Sequence, residues 1–218
     1  MPKQQSWRKR LMARLHRSVY ASRIRGLVEC LTPVLKPGDQ VLDVGCGIGA
    51  LGRAIMDAPS SPQKVTVSGL ERVRRGNELI PVAEYDGRNI PHADKSFDVV
   101  ILADVLHHET DPNHLLAECV RISRRLVVIK DHKPDGLFGH ARICLLDWAA
   151  NDPYAVPCLY RYQALPQWRN AFAEHRLTID REWTRLRLYP FPYWLIFTDR
   201  LQYMAVLSRD ENHISRQE

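Results

Sequence analysis

Val41-Leu42-Asp43-Val44-Gly45-Cys46-Gly47-Ile48-Gly49-Ala50 is the stretch on which the fold turns. A short β-rich run ends in closely spaced glycines, which let the backbone turn tightly and bring a ligand against main-chain N–H groups before the next helix. A plain strand-to-helix turn accounts for one glycine but hardly for three. Gly45-x-Gly47-x-x-Ala50 also satisfies the dinucleotide fingerprint, so a nicotinamide cofactor stays open at this point.

Outward from this turn the chain alternates between β-rich runs and helical segments. The runs are Val41–Val44, Val65–Leu70, Pro81–Tyr85, Phe97–Ala103 and Leu126–Ile129. Near-continuous apolar strands in such alternation predict an α/β doubly wound parallel sheet with helices on both faces. Asp111-Pro112 reads as N-cap and first residue of a helix carrying Leu115, Leu116, Cys119 and Val120, and Pro166 opens a helix with Trp168, Phe172 and His175 on one face. Upstream, Leu11, Leu15 and Val19 recur among arginines as a basic amphipathic helix, and a second helix follows over Leu27–Leu35 up to the Pro37-Gly38 stop. Residues 134–165 interrupt the rhythm as an aromatic-rich insertion, and two strands, roughly 177–188 and 201–208, close the chain around Tyr189–Trp194.

Two acids follow strand ends at the ligand-binding edge of such a sheet. Glu71, ~20 residues past the glycine turn, is set to accept hydrogen bonds from ribose hydroxyls. Asp86, at the end of the third strand, is set to receive an adenine amino group.

At these residues the chain resembles the class I S-adenosylmethionine-dependent methyltransferases, in their small-molecule branch. Val41–Gly49 is similar to that family's first motif, with Asp43 where its acid organises the loop. Ile90–Val100, then Asp104–Pro112, then Leu115–Glu118 follow the family's order through the fourth strand and its helix. Ser123-Arg124-Arg125 departs from the family's Pro-Gly-Gly turn before strand five. The resemblance implies a seven-stranded Rossmann-like sheet with only the last strand antiparallel, and S-adenosyl-L-methionine as cofactor. It implies Gly45, Cys46, Gly47 and Gly49 under the methionine and ribose, Glu71 on the ribose, Asp86 and Gly87 at the adenine, and Asp104 near the amino-acid end.

Methyl transfer from a sulfonium needs in-line alignment, exclusion of water and, for a hydroxyl or protonated amine acceptor, a base. His107 and His108, just past strand four, and His132, just past strand five with Asp131 beside it, are the candidates, His108 first. No His/Cys set shows metal-ligand spacing along the chain, so no catalytic metal is expected. Trp148, Tyr154, Tyr160, Tyr162, Tyr189, Phe191, Tyr193 and Trp194 supply aromatic surface for a lid over an apolar or aromatic acceptor.

The chain has 218 residues, 45% hydrophobic and 26% charged, enough for one α/β core and too few for a separate substrate domain. Its net charge of +6 suggests a nucleic-acid partner, but eight bases and no acid fall in residues 1–28, which leaves 23 bases against 25 acids for the remainder. The excess therefore belongs to residues 1–25, a basic helix suited to anionic lipid, ahead of a methyltransferase domain over 26–218. Nucleic acid is disfavoured as a partner, because the body is slightly acidic and holds no RNA module. Five cysteines without a C-x-x-C pair suit reduced thiols and a cytoplasmic setting, and no apolar run spans a membrane. The Arg-rich, acid-free start also resembles a mitochondrial transit peptide, although it runs on into a core helix. Two other readings remain open: a methyltransferase-fold protein that binds the cofactor without turnover, and an NAD-dependent oxidoreductase.

Overall fold

The computed structural model describes residues 7–151 and 158–209, and side chains over 19–148 and 158–209. Seven strands form one sheet: β1 (Gln40–Val44), β2 (Thr66–Glu71), β3 (Val82–Glu84), β4 (Phe97–Ala103), β5 (Ser123–His132), β6 (Leu177–Trp183) and β7 (Gln202–Arg209). Their order is β3-β2-β1-β4-β5-β7-β6, and only β7 runs antiparallel to its neighbours. The strand order reverses between β1 and β4, which opens the crevice where doubly wound sheets bind ligands.

The helices are α1 (Trp7–Leu31), α2 (Ala50–Asp57), α3 (Pro112–Ile122), α4 (Gly139–Asn151) and α5 (Leu165–Glu174). Strand periodicity divides the core. Leu42, Val44, Val100, Leu102, Val127 and Ile129 face α3 and α5, where Cys119, Trp168 and Phe172 complete one cluster. Val41, Val99, Ile101, Leu126 and Val128 face α1 and α2, against Leu27, Leu31, Leu51 and Ile55. Asp43, alternating with Leu42 and Val44, therefore lies on the α1 side. At the start of α3 the Asp111 side chain accepts the His114 N–H at 3.1 Å with Pro112 next to it, a cap that stabilises a helix by about 1 kcal/mol.

Two expectations are corrected. Two N-terminal helices are one, the unbroken α1. Gly26 lies inside it because a Cβ there would stand 2.9 Å from Leu188 Cδ2, so this glycine marks a close helix-to-loop approach and not a break. The sixth strand stops at Trp183 and not near 188. Leu186 and Leu188 remain buried, but the segment leaves the sheet and packs as irregular chain against the α1 side. The insertion contains a 13-residue helix, α4.

No turn residues separate α3 from β5. Ser123 begins the strand directly, buried, with its hydroxyl on the Leu126 carbonyl at 3.0 Å, while Arg125 bonds the Val34 carbonyl and the Asp39 carboxylate. The replacement of the Pro-Gly-Gly turn thus ties β5 to the 3-10 turn after α1 and to the residue before β1. All five cysteines are free, Cys46 and Cys119 buried and the other three half-buried. Lys3 and Tyr154 lie outside the described residues, as do the side chains of Lys9, Arg8, Arg10, Arg14 and Arg17.

Candidate active site

The glycine turn leaves β1 with Gly45, Gly47 and Gly49 at φ of +70, +59 and +75°, a left-handed series that side chains with a Cβ rarely adopt. Gly45 is also required sterically, since a Cβ would approach Val105 Cγ2 to 2.6 Å. Gly49 likewise packs on Ile80, 2.3 Å from a Cβ, whereas at Gly47 nothing lies closer than the Arg75 guanidinium at 3.8 Å, so the turn is open at Gly47. Glu71, at the end of β2, accepts the Gly47 N–H at 2.7 Å and the Arg72 N–H at 3.1 Å. Each carboxylate oxygen keeps acceptor capacity for a ligand hydroxyl. Cys46 is buried beside Gly69, where a Cβ would meet its Sγ at 2.3 Å, and burial pushes its thiol up to about 12. Asp43 is buried; loss of hydration raises its carboxyl to about 7, against the pull of Arg23.

Asp86 is exposed and bonds within its own loop, accepting the Arg88 and Asn89 N–H groups at 2.7 Å each. Gly87 has φ +79°, and Arg72 crosses it so closely that a Cβ would meet Nε at 2.3 Å. The Arg72 guanidinium then pairs with Glu109 at 2.5 Å. Arg72 and Glu109 thus join the expected adenine residues, Asp86 and Gly87, as a bridge over that end of the crevice.

Asp104 opens the other end. It follows β4 at φ +61°, bonding Lys130 Nζ at 2.5 Å and Arg23 Nη2 at 2.6 Å. Burial acts to raise its pKa, but these two cations hold it well below the usual carboxylate range. Lys130 is lowered by burial and by Arg23, which together outweigh Asp104.

Behind Asp104 the three histidines meet. His107 and His108 form a 3-10 turn (Leu106–His108), and His132 ends β5. The His107 Nδ1–H donates to Asp131 at 2.5 Å, a carboxylate that also accepts the His132 backbone N–H. His107 Nε2 and His108 Nε2 each lie 3.5 Å from Oδ1 of Asp147 on α4, and Tyr162 donates to Oδ2 at 2.8 Å. Burial would lower the His107 pKa, yet Asp131 and Asp147 raise it to about 10. Burial and Lys130 drop His132 to about 3, so it is a neutral imidazole at physiological pH. Neither sits near neutrality.

Asp147, Arg23 and Lys130 were not legible as site residues, whereas Tyr162 was expected only as part of an aromatic lid. The signals were a lone acid in the apolar run Ile143–Trp148 and a lysine inside the apolar strand Leu126–Lys130. Of the expected aromatic lid, Tyr162 and Tyr189 are buried, and Arg187 stacks over Trp194 at 5.0 Å. Trp148, Tyr160 and Phe191 are exposed.

A family profile described as a methyltransferase domain matches residues 42–127, which run from β1 through the glycine turn into β5. Residues 42–127 thus carry the methyltransferase domain that the class I S-adenosylmethionine-dependent family is built on. The chain is 34% identical over 101 residues to 27-O-demethylrifamycin SV methyltransferase of Amycolatopsis mediterranei, covering 41% of this chain and 36% of that one. It is 32% identical over 152 residues to 2-methyl-6-phytyl-1,4-hydroquinone methyltransferase of Synechocystis, covering 64% of this chain and 43% of that one. The chain therefore spans about two fifths of the length of these curated relatives. Among solved structures, an S-adenosylmethionine-dependent methyltransferase from Mesorhizobium loti superposes with a TM-score of 0.64 at 15% identity, over 88% of this chain and 100% of that one, a likeness of fold. The family's cofactor is S-adenosyl-L-methionine, and the residues present fit it: a glycine cradle a Cβ would fill, and Glu71 on the cradle with acceptor capacity to spare.

Proposed function

We propose that this chain catalyses methyl transfer from S-adenosylmethionine to a small apolar or aromatic acceptor. The observation that carries the reading is the Glu71 carboxylate held on the Gly47 N–H across an open left-handed glycine turn at the strand-order reversal. Gly45, Cys46, Gly47 and Gly49 would line the cofactor, Glu71 would take its ribose hydroxyls, and Asp86 with Gly87 would border the adenine. Asp104, with Asp43 behind it, would face the amino-acid end. The bound cofactor supplies an already activated methyl group, so the chain's own task is alignment, exclusion of water and handling of the acceptor's proton. His107 and His108 line the acceptor side, with α4 above them carrying Asp147. His132 acts there as a neutral, packed neighbour of Asp104, with Nε2 at 3.6 Å.

An apolar acceptor is supported by the outer surface of α4 and the loop pinned to it. Leu145, Trp148, Leu195 and Ile196 are exposed there, and Arg142 Nε bonds the Ile196 carbonyl at 2.6 Å. Together with the basic segment 1–25, this surface suits peripheral contact with an anionic membrane that dissolves such an acceptor. Among the described residues no helix is long and apolar enough to cross a membrane.

Isothermal titration with S-adenosylmethionine and with its demethylated product tests the reading, and stoichiometric binding is expected. No binding at millimolar ligand, or tight NADH binding instead, overturns it. Binding without any methyl-mass product across candidate acceptors would leave a cofactor-binding protein without turnover.

A further inference from the structure

We propose that His107 Nε2, His108 Nε2 and the Asp147 carboxylate form a binding site for one divalent transition-metal ion of zinc-like preference. The three ligand atoms all lie within 4.8 Å of one another, and both histidine nitrogens stand 3.5 Å from Asp147 Oδ1. A charge-assisted N–H···O bond closes to about 2.7–2.9 Å, so these separations are too long for a strong bond. They match the ligand-to-ligand edge of a tetrahedron, about 3.4 Å for bonds of about 2.0–2.1 Å. With Nδ1–H committed to Asp131, the second nitrogen of His107 is the one aimed at Asp147.

The surroundings are those of a ligand set. Metal-bound histidines donate their other N–H to a carboxylate, which Asp131 accepts from His107 at 2.5 Å, and ligating carboxylates are themselves hydrogen-bonded, as Tyr162 does for Asp147 at 2.8 Å. Two imidazoles and one carboxylate favour zinc, cobalt or iron over magnesium or calcium, which take all-oxygen sets. Three protein ligands leave a position open, as in catalytic and not structural sites. Resting on the methyl-transfer reading, that position would take an acceptor hydroxyl, so the acceptor class becomes an alcohol, phenol or hydroquinone.

The full chain is titrated with Zn2+ by calorimetry and with Co2+ by visible absorption, without cofactor or acceptor. Wild type is expected to take one equivalent and to show tetrahedral cobalt bands without a thiolate charge-transfer band. Asp147→Asn and Asp131→Asn, which preserve shape, should each weaken binding by about 10- to 100-fold. The neighbouring Cys144 Sγ and His140 Nδ1, 3.4 Å apart, form a competing pair, and the His140→Gln/Cys144→Ala variant should bind as wild type does. No stoichiometric binding by wild type, a thiolate band, full affinity in Asp147→Asn, or loss of affinity in the His140/Cys144 variant each overturns the proposal. None of these outcomes touches the cofactor titration, so either reading can fail alone.

Discussion

Asp104→Asn isolates one charge in the crevice. Asparagine keeps the size and tolerates the left-handed φ of +61° that Asp104 holds, so backbone strain is unchanged. What changes is that two cations lose their partner, Lys130 with 2% of its side chain exposed and Arg23 with 15%. Removing one member of a buried ion pair costs about 3–5 kcal/mol. Arg23 sits on α1 with some access to water and can swing outward, so the low end, about 3 kcal/mol, applies. For a chain of this size that lowers Tm by about 6–12 °C. The cost should be constant from pH 8 down to about 4. Because the folded-state pKa of Asp104 is depressed, its contribution is complete above the unfolded value and disappears as pH falls through the lower folded one. Urea denaturation followed by circular dichroism measures it, with Lys130→Met added in the same background. Removing the stranded ammonium should restore at least about half of the loss, a coupling well above the few tenths of a kcal/mol seen between independent sites. A loss under about 1 kcal/mol, or a double variant less stable than Asp104→Asn alone, would refute the reasoning.

Asp43 should give the opposite pH trend. Its folded pKa of about 7 lies above the ordinary 3.8, so between those values the folded chain holds more protons than the unfolded one and stability falls as pH rises. Asp43→Asn should flatten that window and gain up to about 4 kcal/mol at pH 8, and urea midpoints for the variant that still fall between pH 4 and 7 would count against it. Glu71→Gln exchanges a charged acceptor on the Gly47 N–H for a neutral one, and affinity for the demethylated cofactor should drop about 10-fold or more by calorimetry with Tm nearly unchanged. Gly45→Ala forces a Cβ to 2.6 Å from Val105 at φ +70°, and should cost about 1–3 kcal/mol in denaturation together with cofactor affinity. A chain beginning at Ser22 should lose affinity for anionic vesicles in sedimentation while retaining cofactor binding, and equal sedimentation of both chains would exclude residues 1–21 from lipid contact.

The parts of this molecule that were readable from sequence are those whose cause is local. β4 is Phe97–Ala103 as its apolar run indicates, and Asp111-Pro112 caps α3, because periodicity and capping act within a few residues. The glycine turn was readable for the same reason: the constraint on φ is carried by the residue itself. The reason for Gly26 lies in Leu188, far along the chain, and no local rule reads such a close approach. The site divides in the same way. Its cofactor edge follows from strand ends, which the α/β alternation locates. Its acceptor edge depends on contacts between segments with no fixed spacing, 81 residues between Arg23 and Asp104 and 24 between His107 and Asp131. Lys130 and Asp147 nevertheless left a trace, because each is a charge placed where the surrounding period demands an apolar side chain. Burial of such a charge costs several kcal/mol unless a partner is present. A charged residue out of phase in an apolar run therefore already implies a partner brought from elsewhere in the fold, and both partners here, Asp104 and the His107–His108 pair, stand at the same end of the crevice.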